Sequence, residues 1–149
     1  MSRKKKDPLR DLTEPERREL ELLGRSQVAP AAEVKLVRCT RGAVYDVIVD
    51  LRPGSPTYLR HFGVELSEDN RRCLYVPEMF AHGYQALTDG AEVAYQVSAP
   101  YTPACERGLR HNDSALGIRW PQPVSVISDK DANWPLLASA GLALSASGE

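Results

Sequence analysis

Cysteine, histidine and long apolar runs are all scarce in this chain, and each scarcity removes a class of protein. The three cysteines, Cys39, Cys73 and Cys105, lie far apart and form no CxxC pair, which excludes a disulfide framework and a zinc cluster. Reduced thiols are expected. The three histidines, His61, His82 and His111, are never two to four residues from one another, so none is paired at ligand spacing and no metal is expected. The opening basic run, Arg3 to Lys6, is followed by Asp7, Pro8 and Arg10 instead of an apolar core, so no signal peptide is predicted. No later segment is apolar over the length needed to span a bilayer. A cytoplasmic protein with no membrane partner is the expectation. The formal net charge is only −1, and no aromatic residue accompanies the basic run, so no nucleic-acid partner is expected either.

What remains is a chain of 149 residues, 42% of them hydrophobic, which suits one compact domain that folds without covalent staples. Residues 1–26 form a divergent charged segment with a predicted short helix over 13–24. Thr13 and Glu16 have capping-box spacing, Leu20, Leu22 and Leu23 supply apolar anchors, and Gly24 can end the helix. From Val34 onward, short apolar-rich runs alternate with turn residues, the signature of an all-β sandwich or barrel. Strands are expected over 34–40, 43–51, 58–66, 72–76, 80–87 and 91–98. Arg41-Gly42 and Asp89-Gly90 read as the turns of two hairpins, and Pro53-Gly54-Ser55-Pro56 as a further turn. Within 43–51, Tyr45, Val47 and Val49 share one face and Val44, Asp46, Ile48 and Asp50 the other. Asp46 therefore lies among aliphatic residues and needs a partner, for which Lys35 on the preceding run is a candidate. The chain becomes loop-rich beyond Tyr101, and residues 138–149 read as a disordered tail.

Lys35, Asp46, His82, Tyr95 and Tyr101 stand on or beside β-like segments, with Glu106, Lys130 and Asp131 in later loops. Inward-facing polar groups on several strands of a small barrel can converge on a sugar. Tyrosine, lysine and histidine together suit proton transfer beside a carbonyl: a base removes the acidic C–H, a cation stabilises the enolate, and an acid returns the proton. Each residue also has a structural reading. His82 can be a hydrogen-bonding strand residue, Tyr95 and Tyr101 packing residues, Lys35 and Asp46 an ion pair, and Lys130-Asp131 an exposed turn.

In order along the chain, KLVRCTRGAVYDVIVDLRPGSPT, FAHGYQAL, AEVAYQ, ERGLRHND, LGIRWP and ISDKDANWP resemble the dTDP-4-dehydrorhamnose 3,5-epimerase family over roughly residues 27–137. The resemblance implies an all-β, cupin-type sandwich or jelly roll that assembles as a homodimer. It also implies a cofactor-free inversion of carbons 3 and 5 of dTDP-4-dehydro-6-deoxy-D-glucose, giving dTDP-4-dehydro-L-rhamnose. Metal-dependent cupins usually carry an HxH pair, which this chain lacks. By motif, Tyr95 resembles the proton-donating tyrosine, Lys35 the lysine that stabilises the enolate, and Asp131 the carboxylate that orients the catalytic base. His82, Tyr101, Glu106 and Lys130 resemble substrate-binding residues, Tyr101 being the one that stacks on thymine. Asp46 is expected to support the site from behind.

The family's catalytic base belongs to an RGLHxQ-like segment just before KLVR. At the matching histidine position this chain has Arg25, and Leu22 stands where the family has a phosphate-binding arginine. Arginine stays protonated near neutrality and cannot act as a general base. Gln96 follows Tyr95 where many members have lysine. The expectation is an epimerase altered on its N-terminal side, with much reduced activity. The alternative is a non-catalytic sugar-nucleotide-binding or structural cupin.

Overall fold

The computed structural model describes residues 26–27 and 31–139, so the predicted helix over 13–24 and most of the predicted tail lie outside the described residues. Among the described residues eight strands form: β1 (Ser26–Gln27), β2 (Lys35–Arg41), β3 (Ala43–Asp50), β4 (His61–Ser67), β5 (Cys73–Val76), β6 (Phe80–Ala86), β7 (Glu92–Val97) and β8 (Glu106–Arg107). All six strands expected from the alternation are present, within a few residues of their predicted ends. The two-residue β8 and a four-residue helix α1 (Asp129–Ala132) arise where only loop was expected, and the two-residue β1 where no element was expected.

The pairing departs from the two expected hairpins. β2 lies between β5 and β7 in one antiparallel sheet, and β3 lies between β4 and β6 in a second. Only Gly42 separates β2 from β3, too short a link for the strands to fold back and pair, so the chain turns a corner into the other sheet. Three local features make that corner. The β2–β7 register slips between Cys39 and Arg41, a bulge that bends the strand. Gly42 takes a left-handed φ of 71°, and a side chain there would collide with Thr88. The corner between β6 and β7 then docks against it: the Arg41 Nε–H donates to Gly90 O at 2.9 Å and the Ala43 N–H to Thr88 Oγ1 at 3.0 Å.

Alternation along β3 sorts two cores. Val44 and Ile48 face the opposite sheet and pack with Val37, Cys39, Leu66 and Val76. Val47 and Val49 face outward onto Leu109, Leu116 and Leu137, with Tyr45 and Trp120 at the edge. The loop-rich C-terminal part is therefore a third layer over the β3 sheet. Each fully buried aliphatic side chain on β3 contributes about 1.5–3 kcal/mol by leaving water. Among the described residues no helix is long and apolar enough to cross a membrane.

At the end of β3, the buried Asp50 carboxylate organises the loop to β4. It accepts a two-pronged bond from Arg52 (Nε 2.9 Å, Nη2 2.8 Å), bonds from Ser55 Oγ and Thr57 Oγ1 at 2.6 Å each, and one from the Arg52 N–H at 2.9 Å. The Arg52 guanidinium, aided by the two hydroxyls and that amide, holds the Asp50 carboxyl well below the usual carboxylate range despite its burial.

Two stability measurements check this account. Gly42→Ala should lower unfolding free energy by about 1–2 kcal/mol from the left-handed backbone alone, and by more once Thr88 is displaced, as read from urea unfolding. Asp50→Asn should cost about 1.5–3 kcal/mol at pH 7, the scale of hydrogen bonds to a charged group. Because folding depresses the Asp50 pKa, its stabilisation is present above the unfolded carboxylate range and fades as pH falls through the folded value. The gap between the two proteins should accordingly narrow below about pH 4.

Candidate active site

The space between the two sheets holds the first group of polar residues. On β2, Lys35, Val37 and Cys39 point inward, and Val37 is directly opposite Tyr95 on β7. Opposed residues of an antiparallel pair share a face, so Lys35 and Tyr95 are diagonal neighbours on the inner surface, at a Cβ separation of roughly 7–8 Å for such a pair. Lys35 is buried, whereas Tyr95 is 51% exposed, and among the described residues the Tyr95 hydroxyl makes no hydrogen bond. The ammonium of Lys35 lies 3.2 Å from Glu33 Oε1.

Across the gap, Asp46 on β3 and His82 on β6 form a buried pair. The His82 Nε2 is 2.9 Å from Oδ1 and 3.1 Å from Oδ2 of Asp46, and only the Oδ2 contact has hydrogen-bond direction. A carboxylate accepts, so the imidazole proton sits on Nε2. Asp46 is thus paired with His82, and the carboxylate beside Lys35 is Glu33. This differs from the expected pairing of Asp46 with Lys35 on the preceding strand: His82 is 36 residues away and is brought diagonally beside Asp46 by the β3–β6 register, which sets it opposite Ile48.

A second group gathers around β8. The buried carboxylate of Glu106 accepts a bond from the Tyr101 hydroxyl at 2.7 Å and one from the Lys130 ammonium at 2.5 Å. Lys130 also lies over the Trp134 ring at 5.6 Å, a cation–π distance. The loop carrying Tyr101 is tied down by the buried Gln27, whose Oε1 accepts the Thr102 N–H at 2.6 Å. β1 in turn pairs with β8, Gln27 opposite Glu106, and packs beside β6, the strand that carries His82.

Asp131 lies next to Lys130 but is buried. Its Oδ2 accepts from Ser128 Oγ at 2.8 Å, its Oδ1 accepts from Trp134 Nε1 at 3.1 Å, and its own N–H donates to Ser128 Oγ at 3.1 Å. Ser128 is the N-cap of α1, so Lys130-Asp131 belongs to a capped turn in which Lys130 is exposed and Asp131 buried. The three histidines go to separate places: His61 Nδ1 lies 3.0 Å from Leu116 O, His82 meets Asp46, and His111 lies in the C-terminal layer. Burial, then the nearby Arg110 guanidinium, push the His111 pKa down. Among the described residues, no three His, Cys, Asp or Glu side chains gather as a metal would require.

Two sheets face to face, with polar residues both on their inner faces and in the flanking loops, match one known architecture in sequence and in shape. The profile of dTDP-4-dehydrorhamnose 3,5-epimerase matches residues 25–139. The chain belongs to that family. It is 48% identical over 112 residues to a dTDP-4-dehydrorhamnose 3,5-epimerase of Sinorhizobium fredii, covering 74% of this chain and 57% of the relative. The chain thus spans less than two thirds of the length of such curated relatives. The Bacillus anthracis dTDP-4-dehydrorhamnose 3,5-epimerase, solved with TDP and PPi bound, superposes with a TM-score of 0.78 at 42% identity, over 83% of this chain and 70% of that one. A Legionella pneumophila dTDP-6-deoxy-D-glucose-3,5-epimerase, solved with dTDP-4-keto-L-rhamnose, gives 0.78 at 36% identity, over 85% and 68%. The fold is the cupin-type sandwich of these epimerases.

Gln27, Glu33, Ser128 and Trp134 were not among the residues singled out from the sequence. Ser128 carried a usable signal, since Ser-x-x-Asp at 128–131 is a capping pattern. Gln27 carried none, because its importance comes from Thr102, 75 residues later. Removing the Asp46 carboxylate should strand a buried imidazole: Asp46→Ala is expected to lower stability by about 1–3 kcal/mol. In parallel, the His82 Nε2–H resonance should lose its slow solvent exchange in NMR spectra.

Proposed function

We propose that this chain carries the acid and enolate-stabilising side of a nucleotide-sugar epimerase site, acting on dTDP-4-dehydro-6-deoxy-D-glucose at carbons 3 and 5. The observation behind this reading is the shared inner face of Lys35 and Tyr95 on paired strands. A base takes the proton from the carbon beside the 4-keto group, and the C–H electron pair moves onto the 4-oxygen as an enolate. The Lys35 ammonium is positioned to hold that negative charge. The Tyr95 phenol, exposed and not hydrogen-bonded within the described residues, returns a proton to the opposite face of the carbon. In this reading His82, supported from behind by Asp46, contacts the sugar. Tyr101, Glu106 and Lys130 hold the nucleotide end, with Tyr101 stacking on thymine. Asp131 orients whatever base occupies its neighbourhood.

Arg25, at the position matching the family's base histidine, lies outside the described residues. We infer that it cannot remove the proton, so the chain binds dTDP more readily than it turns over the sugar. As in the family resemblance, the assembly is a homodimer, and the exposed Leu36–Tyr75 pair on the outer face of the β2 sheet is consistent with a partner there.

Incubation with the 4-keto sugar in D2O tests the reading, with deuterium at carbons 3 and 5 followed by NMR. Exchange should be slow for the chain as it stands and should rise in Arg25→His, whose neutral imidazole can accept a proton near pH 7. In that background Tyr95→Phe should lower exchange roughly 10²–10⁴-fold, the span of a general-acid contribution, while dTDP affinity stays within a few-fold. Rapid exchange without the Arg25 change would show that another base operates. Saturable dTDP binding with no exchange in either form would favour a non-catalytic binder.

A further inference from the structure

A second polar cleft is lined by none of the residues assigned above to the epimerase site. It occupies about 230 Å³ at the far end of β2 and is lined by Arg38, Cys39, Thr40, Glu68, Arg71 and Arg72. Lys35 points inward at the start of β2, whereas Arg38 is exposed on the opposite face three residues on, a displacement of about 10 Å along the strand. Its lining includes three arginines and one carboxylate, that of Glu68. Arg41, Arg52, Arg107 and Arg110 commit their guanidiniums to acceptors within the fold. Arg38, Arg71 and Arg72 do not, among the described residues. Thr40 is engaged beside them, its hydroxyl donating to Glu92 Oε1 at 2.5 Å.

The turn that presents two of these arginines is rigidly built. Asn70 Oδ1 accepts the N–H groups of Ser67 and Arg72 at 3.0 Å each, its Nδ2 donates to Glu65 O at 3.0 Å, and its N–H donates to Ser67 Oγ at 3.1 Å. The Glu68 N–H donates to Gly42 O at 3.0 Å, fastening the turn to the corner after β2. Arg71 is held at a φ of 54°, a left-handed conformation that is unfavourable for a long side chain. Such strain persists only where surrounding structure imposes it, and it collects at functional positions.

We propose that this cleft is a binding site for a small phosphate-bearing anion, with Arg38, Arg71 and Arg72 as the recognising forks. Guanidinium groups match phosphate oxygens in pairs. The volume is below that of sites for drug-sized ligands, which favours a pyrophosphate-sized group over a whole nucleotide. Glu68 opposes binding and sets its strength.

Isothermal titration calorimetry of the whole chain with sodium pyrophosphate at low ionic strength tests the proposal. The double variant Arg71→Ala/Arg72→Ala should weaken binding at least tenfold, and Arg38→Ala alone should weaken it several-fold. Glu68→Gln should tighten it. Lys35→Met and Lys130→Ala, which alter the epimerase-like site, should leave it unchanged, so failure here is distinct from failure of the epimerase reading. Urea midpoints within a small margin of the parent confirm that each variant is folded, and Glu68→Gln keeps a predicted gain in binding if the double variant does not fold. Three results would overturn the site: no heat of binding, loss of binding in Lys130→Ala, or citrate binding as tightly as pyrophosphate, which would indicate general attraction of anions.

Discussion

The contact on which the rest of the structure depends is the docking of two chain corners, Arg41–Ala43 and Thr88–Gly90, against each other. Gly42 allows the close approach, and the bonds from Arg41 to Gly90 and from Ala43 to Thr88 hold it. With the corners joined, β2 lies beside β7 and β3 beside β6. The Leu87 N–H adds a bond to Ala43 O at 2.9 Å, and the turn after β4 reaches the same place through Glu68. Three crossings between the sheets are thereby anchored at one end of the sandwich, and the inner-face pair of Lys35 and Tyr95 follows from the β2–β7 register that this anchoring imposes.

Much of the fold was legible locally, because alternation along each strand reports which side is buried. The two faces of β3 came out as the periodicity implied, with Asp46 on the inner side. Pairing was not legible in the same way. Gly42 and Gly90 mark a change of direction, yet a glycine does not say whether the strands on either side of it hydrogen-bond to each other or part into separate sheets. That choice rests on contacts between residues 41 and 90, far apart in sequence. The same limit hid the partner of Asp46.

The candidate site was legible mainly through motifs. Spacing alone favoured structural readings for His82 and Tyr95 and left one open for Lys35, and nothing local joined Tyr101 and Glu106 to Lys130. The structure supplies the link physically: one buried carboxylate, Glu106, accepts from both a phenol and an ammonium. Burial of that carboxylate is tolerable because both partners are donors. Asp131 is treated similarly, with Ser128 and Trp134 accounting for both of its oxygens.

The position of β3 between two apolar layers also bears on how the protein is made. Its outward residues Val47 and Val49 are covered by Leu109, Leu116 and Leu137, which leave the ribosome well after β3. Until they emerge, the middle sheet carries a bare aliphatic surface, and contacts spanning 60 to 90 residues must close before it is shielded. Long-range closure of this kind slows folding and prolongs exposure of sticky intermediates. Synthesis of residues 109–137 is therefore the interval in which this protein depends most on dilution or on chaperones.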